Sequence, residues 1–200
     1  MSSFISSPVI GNVRSAGPRA IALLVGSLRK ESFTRKVANA IATFAPSLTF
    51  RHIDISKVSP FNQDLEPTPP RDWVDLKEAI QPCDGVLFAT PEYNRSVPGV
   101  LKNAIDVASR PYGKSAWAGK PGAVVSVSPG ALGGFGANHH LRQMLAFLDV
   151  PCLQQPEMYV GNASKRFDER GEPNEETRQF LTAFAVAFTE WVERFSGTER

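Results

Sequence analysis

Three short stretches of this chain hold residues whose types and spacing can do chemistry. The first is Gly26-Ser27-Leu28-Arg29-Lys30-Glu31-Ser32-Phe33-Thr34-Arg35, set directly after an apolar run and directly before a helical pattern. Such a junction suits a phosphate monoester. Unpaired backbone N–H groups point out of the first helical turn, the helix dipole adds positive potential, and hydroxyls donate further bonds. Arg29 adds a charge-assisted contact that can be bidentate. Neither the Gly-x-Gly-x-x-Gly of a dinucleotide fold nor the Gly-Lys-Ser/Thr ending of a P-loop is present. Taken alone, the stretch also fits an ordinary strand-to-helix turn with a capping serine.

The second stretch is Pro91-Glu92-Tyr93-Asn94-Arg95-Ser96-Val97-Pro98-Gly99. Its two flanking prolines and Asn94 suggest a rigid turn that presents backbone amides. Tyr93 offers a flat apolar face with a polar tip, suited to packing against a planar ring, although a surface turn whose tyrosine caps the core has the same residues. Glu92 is expected to be a solvated carboxylate rather than an acid catalyst. The third stretch, Ser128-Pro129-Gly130-Ala131-Leu132-Gly133-Gly134-Phe135-Gly136, has four glycines in nine residues. Glycine lets backbone approach a ligand closely, and a plain flexible loop shares that composition.

The elements that must position these stretches alternate along the chain. Apolar runs predict strands at 20–25, 48–53, 85–90 and 122–127. A short, interrupted fifth is expected around Cys152-Leu153 and Met158-Tyr159-Val160. Between them, spacings of three and four predict helices. The first carries Phe33, Val37, Ile41 and Phe44, and the second, over 71–80, carries Trp73, Leu76 and Ile80. A third starts at Pro98, a fourth shows Leu141, Leu145 and Leu148, and a fifth covers 174–195 with Phe184, Phe188 and Trp191. Five strands alternating with five helices predict a three-layer α/β domain around a parallel sheet. Ligands of such sheets bind beyond the carboxyl ends of the strands. A strand order of 2-1-3-4-5 brings the loops after strands one, three and four to one edge.

Composition bounds the rest. Two hundred residues, 42% hydrophobic and 21% charged, fit one globular domain rather than a disordered chain. A net charge of +2 from 22 basic and 20 acidic residues, with no basic stripe, argues against a dedicated nucleic-acid binder. No apolar run approaches the roughly 18 residues of a membrane span. Cys83 and Cys152 adjoin apolar segments in no Cys-x-x-Cys pattern, so free buried thiols in a reducing compartment, the cytoplasm, are expected. With histidines only at 52, 139 and 140, no histidine-rich metal centre is expected. Residues 1–18, rich in Ser, Gly and Pro, are expected to be a flexible extension before a domain at 19–196.

Taken together, Gly-Ser-Leu-Arg-x-x-Ser-Phe-Thr at 26–34, the motif from Pro91 to Asp106, Ala108-Ser109-Arg110-Pro111 and Gly119-Lys120-Pro121 resemble the NADPH-dependent FMN reductase family, chromate and quinone reductase branch. The resemblance implies a flavodoxin-like fold, non-covalent FMN and a homodimer or homotetramer. It implies that Ser27, Arg29, Ser32, Phe33 and Thr34 hold the FMN phosphate. Pro91, Glu92, Tyr93 and Asn94 would line the isoalloxazine, with Ser126, Ser128 and Gly130 at its far side. It further implies a ping-pong oxidoreductase: NADPH or NADH passes hydride to flavin N5, and a quinone, chromate, flavin or similar acceptor then receives two electrons. No side chain is then needed as a catalyst, because the flavin carries the chemistry. Arg95 and Arg110 are the candidates for a 2′-phosphate contact. The rival reading is a flavodoxin-type electron carrier without nicotinamide turnover. Such carriers are usually acidic, and this chain is slightly basic.

Overall fold

The computed structural model describes residues 17–196. The extension expected over 1–18 lies outside them, apart from Gly17 and Pro18, which are exposed. Five strands, β1 (Arg19–Val25), β2 (Leu48–Ile53), β3 (Gly85–Pro91), β4 (Gly122–Val127) and β5 (Met158–Val160), form one parallel sheet in the order β2-β1-β3-β4-β5. Helices α1 (Phe33–Phe44), α2 (Arg71–Ile80), α3 (Gly99–Ser109), α4 (Phe135–Phe147) and α5 (Glu175–Ser196) cover both faces. This is the flavodoxin-like three-layer arrangement expected from the alternation of patterns.

The sheet's central strands are largely apolar because both faces are buried, with Thr90 and Ser126 as buried polar exceptions. Ala22, Leu24, Val86, Phe88 and Val124 point to the side of α2, α3 and α4. Ile21, Leu23, Leu87, Ala89 and Val125 point to α1 and α5. Full burial of each large aliphatic side chain contributes about 1.5–3 kcal/mol, and this double layer is what fixes the strand ends relative to one another. On the α3 side Phe88 packs against Trp117 at 5.4 Å, and the Trp117 Nε1 donates to the Ile105 carbonyl at 2.9 Å.

Element ends differ from expectation in small ways. Pro98 is the N-cap of α3 rather than its first residue, its fixed φ of −58° leading the chain into the helix at Gly99. The fifth strand is only Met158–Val160, and Cys152 makes a single bridge to Gly122. Pro156, which has no N–H to donate, lies between those segments. Among the described residues no helix is long and apolar enough to cross a membrane.

Candidate functional site

The carboxyl ends of β1, β3 and β4 are neighbours, so the three chemically distinctive loops meet along one edge. The β1 loop is anchored first. Gly26 N donates to the Ala89 carbonyl at 2.8 Å, and a Cβ there would press on Leu101, Pro91 and Thr90. Ser32 then caps α1, its hydroxyl accepting from Arg35 N at 3.2 Å. Between these anchors, backbone N–H groups from Ser27 to Thr34 donate no hydrogen bond among the described residues. The hydroxyls of Ser27 and Thr34 likewise have no protein partner, although both residues are largely buried. Arg29 is exposed and unpaired, and the first turn of α1 contains no acidic residue. A phosphate would satisfy this whole set of donors at a helix N-terminus.

The β3 loop is a rigid two-residue turn. Tyr93 N donates to Ser96 O at 2.9 Å and Ser96 N to Tyr93 O at 3.0 Å. Between them Asn94 and Arg95 take φ of 51° and 67°, the positive values of a type I′ turn. Tyr93 stands half exposed at the rim. Glu92 is not the solvated carboxylate expected from sequence. Its side chain is 14% exposed, Oε2 accepts from Ala137 N at 3.1 Å, and Oε1 lies 3.4 Å from Arg95. The carboxylate thus caps α4 from another loop, in place of Gly134, whose N-cap position supplies no side-chain bond. Gly136 permits the contact, since a Cβ there would lie 2.8 Å from Arg95 O and 3.0 Å from Glu92 Oε2. His140 Nδ1 lies 3.0 Å from Ser96 Oγ and ties the same helix to the same turn.

The β4 loop is held from the opposite side. Ser128 N donates to Val160 O at 3.0 Å, Ala163 N to Ser128 O at 3.1 Å and Asn162 N to Gly130 O at 3.1 Å. Gly133 and Gly161 cross with no room for a side chain: a Cβ on Gly133 would stand 2.7 Å from Tyr159 backbone. Ser128 and Gly130 remain accessible at the loop. Ser126 does not. It is fully buried on the α4 side of β4, where its hydroxyl accepts from Asn138 Nδ2 at 3.2 Å and lies 3.4 Å from the Met158 carbonyl. Its side chain is packed in the core, unlike the accessible Ser128 and Gly130.

Of the predicted residues, Ser27, Arg29, Ser32, Phe33 and Thr34 share one loop, and Pro91, Glu92, Tyr93 and Asn94 share the loop packed against it. These fit an FMN: unsatisfied donors for its phosphate lie beside a tyrosine-bearing turn for its ring. Gly136 and Ala137 were missed from sequence because their role depends on Glu92, 45 positions away from Ala137. A cleft of about 310 Å³ lies beyond the site on the β2 side, lined by Leu28, Arg35, His52 and Asp54. There burial, with Arg35 adding to it, pushes the His52 pKa down. Arg110 is already engaged by other residues. Its Nε donates to Glu66 Oε1 at 2.5 Å and its guanidinium stacks on Tyr112 at 3.8 Å. Near the start of α4, His139 Nε2 lies 3.0 Å from the Tyr159 hydroxyl, whose pKa burial and then Glu157 push up to about 12.

Most of the chain is similar to known proteins. The model of the NADPH-dependent FMN reductase family matches residues 19–165. A quinone reductase of Pseudomonas putida is 57% identical over 176 residues, spanning 87% of this chain and 95% of that protein. A 2-hydroxy-1,4-benzoquinone reductase of a Burkholderia species is 45% identical over 174 residues, 86% of this chain and 95% of that protein. Among solved structures, the flavoenzyme NAD(P)H:(acceptor) oxidoreductase FerB of Paracoccus denitrificans superposes with a TM-score of 0.83 at 38% identity. It covers 88% of this chain and 98% of that one.

Proposed function

The chain belongs to the NADPH-dependent FMN reductase family, and on that premise we propose that it moves electrons from NADPH or NADH to a small quinone. The observation that carries the reading is the run of unsatisfied donors from Ser27 to Thr34, set against the Tyr93 turn. In this reading Ser27, Arg29, Ser32, Phe33 and Thr34 hold the FMN phosphate. Pro91, Glu92, Tyr93 and Asn94 line the ring, and Ser128 and Gly130 border it. When bound, FMN supplies the hydride and two-electron chemistry. The chain's own contribution is orientation. The anchored β1 loop fixes the phosphate end. The doubly hydrogen-bonded 93–96 turn holds backbone amides in place, and Tyr93 covers an apolar edge against water.

Quinone is the favoured acceptor because relatives at 57% and 45% identity carry that name; chromate and free flavin are further acceptors to assay. One domain, 19–196, carries the function in the cytoplasm. A second copy of the chain covers exposed Leu132, Phe135 and Phe147 around α4, giving a homodimer or homotetramer. The test is anaerobic mixing of the FMN-loaded protein with NADPH or NADH. Bleaching of the bound flavin, followed by recovery on adding a quinone, is expected. A flavin that neither nucleotide bleaches leaves only the electron-carrier alternative.

A further inference from the structure

We propose that Arg95 receives a phosphate of the nicotinamide reductant, and so sets which reduced dinucleotide binds and how tightly. The inference rests on the oxidoreductase reading above and concerns a residue outside the flavin-holding set. The sequence leaves two arginines for such a role, and the structure separates them. Arg110 is occupied: Glu66 takes its Nε at 2.5 Å, both side chains are 16% exposed, and Tyr112 lies against the guanidinium. Arg95 differs in each respect. Its side chain is 78% exposed and its one ion-pair partner is Glu92 at 3.4 Å, long for a charge-assisted bond. That carboxylate already accepts from Ala137 N. So loose and exposed a pair contributes little and exchanges readily for a phosphate.

The backbone adds an independent argument. Arg95 holds a φ of 67° at the second centre of its turn, where glycine is the ordinary choice. A non-glycine residue at such a φ carries strain and persists where its surroundings over-determine it. Here they do: Tyr93 and Ser96 exchange both backbone bonds, Arg95 O packs on Gly136, and Ser96 is bonded to His140. The result is a mobile cation on a fixed root, one residue after the segment assigned to the ring. A nicotinamide stacked on the open ring face places its first phosphate one ribose away, within the sweep of an arginine at that rim. Arg29 serves the other anion, at the β1 loop. The guanidinium can engage phosphate oxygens in bidentate fashion. The phosphate has two sources, the 2′-phosphate found only in NADPH and the diphosphate common to NADPH and NADH.

The test compares wild type with Arg95→Gln and Arg95→Gly in anaerobic flavin bleaching, over a range of NADPH and of NADH. The glycine variant removes the cation while relaxing the backbone, so a folding defect cannot account for its behaviour. The half-saturating concentration should rise about tenfold in both variants, the scale of one lost charged hydrogen bond, and depend less on salt than in wild type. A rise with NADPH alone assigns the 2′-phosphate, and a rise with both assigns the diphosphate. Unchanged half-saturation with both nucleotides overturns the proposal. If wild-type flavin is bleached by neither, the oxidoreductase reading itself fails.

Discussion

Replacing Glu92 by alanine should loosen the joint between the ring-facing turn and α4. The magnitude follows from its contacts. Glu92 Oε2 accepts from Ala137 N at 3.1 Å, longer than an ideal charged bond, so the low end of the usual range applies, about 1.5 kcal/mol. It is also the carboxylate facing the N-terminus of a helix whose first turn has no acidic residue, which adds about 0.3–1 kcal/mol. The exposed contact with Arg95 adds little. Glu92→Ala should therefore cost about 2 kcal/mol, while Glu92→Gln, which keeps an acceptor oxygen, should cost about half that. Urea unfolding of the FMN-free variants measures both values. FMN titration of the same samples should show weaker binding for the alanine variant, since the 93–96 turn rests on that contact. An alanine variant within 0.5 kcal/mol of wild type, the scale of an inconsequential surface change, refutes the trans-capping argument.

Other outcomes can be checked alongside. Arg29→Ala should weaken FMN binding by about 1.5–3 kcal/mol in a fluorescence titration, and an unchanged dissociation constant removes Arg29 from the phosphate site. Ser126→Ala should lower stability by about 1 kcal/mol through loss of one of the two bonds the Asn138 amide makes, the other being to the Met158 carbonyl, with FMN affinity within about twofold of wild type; a large affinity loss at full stability would return Ser126 to the ligand. The Ser59 N–H and O–H hold the Asp72 carboxyl below the usual 3.8. Its contribution is therefore present above that value and is lost as pH falls through the lower, folded one. Asp72→Asn should be less stable than wild type at pH 7, and the difference should close in acid. A gap that stays constant down to pH 2 contradicts the linkage.

Much of the β1 loop was legible because its signals are local. The apolar run, the serine cap and the helical spacing of Val37 and Ile41 all lie between positions 20 and 41. The burial of the Ser126 side chain was not legible for a physical reason. In a strand buried on both faces the alternation that separates ligand side from core side disappears. Glu92 misled in the opposite way. A carboxylate in a polar turn looks solvated until the chain brings Ala137 to it from 45 positions away. Arg110 was ambiguous for the same reason, as Glu66 lies 44 positions distant and in an irregular loop. Pairings between loops leave no periodic trace, and those pairings are what shape this edge of the sheet.

The crossing of Gly133 and Gly161, backbone against backbone, also bears on how new acceptor preferences could be acquired. A wall with no space for a side chain has nothing to vary: substitution at either position disrupts the loop before it alters selectivity. Adaptive change, in nature or in a directed library, is channelled to the β3 turn, where the side chains of Tyr93 and Asn94 are exposed. A library confined to those two positions should recover altered acceptor range at far lower cost in folded protein than one that includes the glycines.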